Sequence, residues 1–219
     1  MKRSILSGIF VFVLLSGTAL ASPLADYSAG KTAIDLTLHA SGNVKSEFSG
    51  DDGDDQLTVP GKKAGDFAAT IGLGNRMALQ YGAYAPRAPF WGVATQQFNL
   101  LYQVDKGISV FAGVLNAKYS TSDSRAQPEK KNIFQGGLIG YTPLGRDTVL
   151  YGTVGFGRDL TDREVGVSYA FTKNLEFNLS YRWLTVRNLN ITYEDSGAVW
   201  HDTSTITAPG LGMGVTLKF

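Results

Sequence analysis

Cysteine is absent from this 219-residue chain, so neither a disulfide framework nor thiol chemistry nor a cysteine-held metal is open to it. Histidine occurs only twice, at His39 and His201, which leaves little material for an imidazole-rich metal site. Charge of one sign is lacking too: 20 Lys and Arg balance 19 Asp and Glu, and a net +1 gives nucleic acid nothing to bind. Beyond residue 21 no apolar run approaches the ~18 residues that a membrane helix needs. Proline is sparse. Pro60, Pro86, Pro89, Pro128, Pro143 and Pro209 all fall in expected connections, where no sheet ladder loses a donor.

What is present begins with an export signal. Lys2 and Arg3 precede an apolar run from Ile5 to Leu20, and Ala19-Leu20-Ala21 forms a small-x-small cleavage site. Residues 1–21 are therefore expected to be a cleaved signal peptide, with the mature chain starting at Ser22. Ser22 is not Cys, which argues against a lipid anchor. An exported chain without a later helical span is either soluble or a barrel.

The last ten residues decide between them. Leu211, Met213, Val215, Leu217 and Phe219 share one parity, opposite Gly210, Gly212, Gly214, Thr216 and Lys218. Such a strand has one apolar and one small or polar face, and it matches the ~9–11 residues that cross a bilayer at a tilt. The 26 glycines and plentiful aromatics suit a barrel that turns every second side chain to lipid.

Ten strand-like segments follow from the pattern: 31–41, 64–74, 76–85, 95–104, 107–120, 132–142, 147–157, 163–172, 174–187 and 210–219. Four alternate cleanly; an example is Leu175, Phe177, Leu179, Tyr181 and Trp183 against Glu176, Asn178, Ser180 and Arg182. Segments five to seven are apolar or Gly-rich on both parities, and their faces stay open. Connections alternate between long (42–63, 86–94, 121–131, 158–162, 188–209) and short (Gly74-Asn75, Asp105-Lys106, Thr142 to Arg146, Thr172-Lys173). A barrel with extracellular loops and periplasmic turns sorts them this way, and Gly-Asn suits a II′ hairpin. The expected fold is all-β, an antiparallel up-and-down transmembrane β-barrel of ten strands over 31–219, with eight as the alternative. Residues 22–30 form a short periplasmic N-terminal segment.

The segments Asp26-Tyr-Ser-Ala-Gly-Lys-Thr-Ala-Ile-Asp35, Phe98 to Gly113, Leu175 to Arg182 and the closing strand resemble small porin-like outer-membrane β-barrel proteins of diderm bacteria. The resemblance covers most of 24–219 outside the long loops. It implies location in the cell outer membrane, and a terminal aromatic, Phe219, that the outer-membrane assembly machinery reads. Lipid and lipopolysaccharide are the implied surroundings, and the protein is expected to be a monomer. The family carries little information about activity.

Inward parity assigns Asp35, Asp66, Gln97, Asn99, Gln103, Glu164, Glu176, Asn178, Arg182 and Lys218 to the lumen, since charge facing hydrocarbon is costly. Ten strands lie near the size at which side chains fill a barrel, so a narrow pore or a polar plug is expected rather than a wide channel. His39 shares the lumenal parity near the outer end, and His201 lies beside Trp200 and Asp202 in the last loop. Ten-stranded surface proteases of the omptin type place acids and a His at the outer rim, but no matching motif is present here. Both histidines are read as solvated rim or loop residues. Ser41 and Ser180 lack the spacing of a nucleophile paired with a base. Asp51-Asp-Gly-Asp-Asp55 fails the helix-loop-helix calcium order and reads as a solvated loop tip.

No catalytic residue, cofactor or metal is therefore expected. The function expected is that of an integral outer-membrane barrel, structural and surface-exposed or a narrow channel. A small hydrolase at the extracellular rim and a loop-based surface binding protein are the alternatives.

Overall fold

The computed structural model describes Leu24 and residues 26–50, 53–195 and 198–219; the expected signal peptide, Asp51 and Asp52 lie outside the described residues. Every regular element among the described residues is a strand. They are β1 (Thr32–Ser41), β2 (Asn43–Gly50), β3 (Gly53–Pro60), β4 (Lys63–Gly74), β5 (Met77–Tyr84), β6 (Trp91–Asp105) and β7 (Ile108–Thr121). There follow β8 (Ala126–Pro128), β9 (Lys130–Pro143), β10 (Thr148–Gly157), β11 (Leu160–Ala170), β12 (Leu175–Asp195) and β13 (Ala198–Lys218).

Ten of these close into a ring, β1-β4-β5-β6-β7-β9-β10-β11-β12-β13, because β13 pairs with both β12 and β1. All neighbours are antiparallel. Closure removes the open edges that an isolated sheet would leave in hydrocarbon. Ile34 opposite Leu217 and Leu36 opposite Val215 set the closing register, so the apolar parities of first and last strands meet on the outside. The outer wall is accordingly apolar: Leu38, Leu138, Val165, Leu179 and Met213 are 44–54% exposed.

Two expected loops are not loops. Residues 42–63 contain the β2–β3 hairpin, and 188–209 continue β12 and β13 into strands of 21 residues each. With β8 they make a five-stranded rampart above the ring, β3-β2-β13-β12-β8. A register shift between Val186 and Leu189, with Asn188 at φ 53°, marks where β12 leaves the ring. Pro209 lies inside β13 rather than in a connection. It sits where Ser41–Gly210 pairing with β1 ends and Thr207–Lys45 pairing with β2 begins. Its carbonyl accepts from Gly42 N at 2.8 Å, so its missing N–H also faces that gap.

The first short turn differs in detail from expectation. Gly74 pairs with Met77, and Asn75 and Arg76 both take positive φ (52° and 66°), which is a I′ geometry rather than II′. Gly74, at φ 83°, supplies the bulge that precedes it.

Candidate functional site

The lumen is built in three tiers. Nearest the rampart is an apolar tier that includes Val44, Trp91, Val93, Leu115, Ile133, Leu160, Leu184 and Val186, each at most 5% exposed. The β5–β6 connection feeds it by tucking Ala88 inward. Nearest the short turns is a second apolar tier, where Leu101, Phe111, Ile139 and Val149 meet Leu24 and Tyr27 of the N-terminal segment. Tyr27 O accepts from Gly74 N at 2.9 Å and Gly30 N donates to Gly72 O at 3.0 Å, so that segment is bound across the mouth. Burial there pushes the Tyr27 phenol up to about 12.

Between the apolar tiers lies the polar one. Arg182 donates from Nε to Asp162 at 3.0 Å, from Nη2 to the same carboxylate, and from Nη1 to Asp66. Its guanidinium stands 4.4 Å over the Tyr84 ring. Beside it run linked amides: Gln135 Nε2 donates to Asn99 at 2.7 Å and Gln97 at 3.1 Å, and Asn99 donates to Gln80 at 3.3 Å. Asn178 Nδ2 donates to Thr216 at 2.7 Å, and Thr216 donates to Asp35. This tier encloses a cavity of about 110 Å³ lined by Asp35, Asp66, Gln97, Asn99, Glu164, Asn178 and Arg182, among others. It has room for several waters, and Phe111, Ile139 and Tyr151 of the tier nearest the short turns also line it.

The structure thus brings seven of the ten sequence-assigned lumenal residues to one cavity. The other three lie lower: Lys218 Nζ pairs with Glu176 at 2.6 Å, and Gln103 donates to the Tyr141 hydroxyl at 2.9 Å. Asp162 falls outside the strand that the pattern predicts over 163–172, whereas β11 starts at Leu160. The pattern also misses the apolar inward residues of β7, β9 and β10. Leu115, Ile133 and Val149 occupy the lumenal parity there, so polar contrast between parities is lost.

His39 is not a solvated rim residue. It is fully buried, with Nε2 3.3 Å from Asp66 and its ring 5.0 Å from that of Tyr84. The opposing Gly212 makes the space, since a Cβ there would lie 2.7 Å from the imidazole. His201 is exposed on the rampart, 3.1 Å from the Thr192 hydroxyl. Phe219 is 62% exposed, tied by backbone bonds to Thr32. Of the acidic run, Asp54 and Asp55 lie on β3 rather than in a loop tip, and Asp54 accepts from Ser49 at 2.6 Å. Among the described residues, no group of three or more potential ligands could hold a metal ion.

One ion pair outside the lumen joins Lys131 of β9 to Asp159 in the β10–β11 connection. A hydrogen bond from Lys131, 2.8 Å away, holds the Asp159 carboxyl below the usual carboxylate range.

No protein-family model and no curated protein matches this chain. Solved structures do. The outer membrane protease OmpT of Escherichia coli covers 92% of this chain and 99% of its own, at TM-score 0.52 and 12% identity. Neisserial surface protein A covers 87% and 98%, at TM-score 0.38 and 14% identity. AlkL covers 93% and 97%, at TM-score 0.45 and 12% identity. At such identities the likeness is one of fold: this chain has the architecture of the small outer-membrane β-barrels.

Proposed function

We propose that the chain is an integral protein of the bacterial outer membrane, exported by its signal peptide, closed to solutes, and working through the rampart it holds outside the cell. One observation carries this reading: a polar lumen sealed by apolar tiers at both ends, below an ordered five-stranded extension. A channel needs a continuous path lined by groups that replace water. Trp91, Leu115 and Leu184 stand in that path at one end and Tyr27 at the other. Material so placed supports a rigid platform rather than a route.

The protein carries no catalysis in this reading. The His39–Asp66 pair and the shared fold with an outer membrane protease are the observations that favour a rim hydrolase instead. Against it, the His39 imidazole is fully buried, out of reach of a peptide at the rim. Phe219 serves as the assembly signal, and the protein is a monomer.

Orientation supplies the test. Trypsin added to intact cells cleaves after Arg125, exposed in the β7–β8 connection, and spares Lys106 in the short β6–β7 turn. The fragments are read by mass spectrometry. Cleavage after Lys106 in intact cells would invert the barrel and remove the rampart from the surface.

A further inference from the structure

The polar tier carries more negative charge than its own cations offset. In it and just below it stand five carboxylates, Asp35, Asp66, Asp162, Glu164 and Glu176, against two cations, Arg182 and Lys218. Even a protonated His39 beside Asp66 leaves two negative charges in excess. Charge enclosed away from water is costly unless something of opposite sign stands near it. A second observation is independent of that count. Asn178 is 4% exposed and lines the same cavity, and its side-chain oxygen has no hydrogen-bond partner. The network fixes which atom that is. Thr216 gives its hydroxyl proton to Asp35 and so must accept from Asn178, which turns Nδ2 to the threonine and Oδ1 away from it. Glu164 lines the cavity too, and its carboxylate accepts a long hydrogen bond from the Tyr151 hydroxyl at 3.4 Å.

We propose that the lumen binds a partly hydrated alkali cation, with Asn178 Oδ1 as a direct ligand and the carboxylates of Asp35 and Glu164 balancing its charge. The lining does not suit an anion, because the guanidinium of Arg182 is already engaged by two carboxylates. Nor does it suit a divalent ion. Calcium takes about six to eight oxygen ligands, and among the described residues no three carboxylate or imidazole groups converge as such a site requires. An alkali ion asks less: it keeps part of its water shell and accepts amide and hydroxyl oxygens, which Gln97 and Thr37 of the same lining also offer. A cavity with room for several waters accommodates the ion together with that shell. The inference goes beyond the platform reading and rests on its sealed lumen in one respect: an ion taken up as the ring closes stays inside.

The test uses the full mature chain refolded into lipid vesicles, with heat-dependent gel mobility reporting the folded fraction. Sodium chloride and rubidium chloride, the second standing for potassium, are each exchanged against choline chloride at constant ionic strength, and denaturant midpoints are read. The wild-type midpoint rises as the alkali ion replaces choline, as linkage to a bound ligand requires. Glu164→Gln keeps the shape and removes a charge; it is more stable than wild type in choline and binds the alkali ion at least about tenfold more weakly. Asn178→Leu loses the alkali response without that gain in choline. Should Asn178→Leu not fold, Glu164→Gln carries the test alone. Midpoints that do not distinguish sodium or rubidium from choline overturn the site and mean that protons neutralise the carboxylates. An alkali response undiminished in Glu164→Gln overturns it as well. A separate arm addresses the seal: wild type refolded in rubidium chloride and then desalted retains roughly one rubidium per chain by elemental mass spectrometry. An alkali response in the midpoints with no rubidium retained upholds the site and contradicts the sealed lumen instead.

Discussion

Leu179→Arg lowers the free energy of unfolding by about 2–4 kcal/mol, because a guanidinium at mid-bilayer must shed water or drag it into hydrocarbon. Leu179 is 44% exposed on the outward face of β12, opposite Met213 of β13 and Val167 of β11, in the middle of the apolar belt. The matched control is Thr58→Arg on β3 of the rampart, which is exposed to water and stays within about 0.5 kcal/mol of wild type. Ser180→Arg does not serve as the mild control that its polar parity implies. Ser180 is 3% exposed inside a filled lumen, between Gly166 and Gly212, so added bulk overpacks it. Refolding the variants into lipid vesicles and titrating with denaturant gives the three values. A cost at Leu179 no larger than at Thr58 would mean that this wall does not meet hydrocarbon.

Arg182→Ala is expected to be the more damaging change, at about 3–5 kcal/mol. It removes the cation that Asp66 and Asp162 share and leaves both carboxylates enclosed without it. Arg182→Lys keeps the charge but loses the fork that bonds Asp162 twice, and falls between Ala and wild type. Adding Asp162→Asn to Arg182→Ala recovers part of the loss, because one uncompensated charge is then gone. The same vesicle titration checks this. Independent, additive costs for the two substitutions would show that the pair is not coupled.

Much of this architecture was legible in the residues. Closure of a ten-membered ring followed from strands such as β1, β4, β11 and β12, whose outward parity is apolar and whose inward parity is not. The inward set around Arg182 followed from the same periodicity. Other parts were hidden for physical reasons. The upper halves of β12 and β13 exceed the length needed to cross a bilayer, so a bilayer-length criterion puts Thr203, Thr205 and Thr207 in a loop although their β-branching favours a strand. The apolar tiers erase the period-2 contrast in β7, β9 and β10, because Leu115 and Val114 are equally apolar while facing opposite ways. Asp162 meets Arg182 through the β11–β12 register, which no local motif reveals. The burial of His39 depends on Gly212 across the β1–β13 seam, nearly the whole chain length away.

The two apolar tiers make the sealed lumen the central claim, and ion conductance across planar bilayers tests it most directly. Wild-type protein reconstituted at single-molecule density is expected to give no unitary steps above the bare-membrane baseline in molar salt. Its insertion is verified by protection of the barrel strands from protease. A stable unitary conductance from the intact wild-type chain would mean that a continuous water path crosses both the Trp91–Leu115 tier and the Tyr27 tier, and would contradict the account.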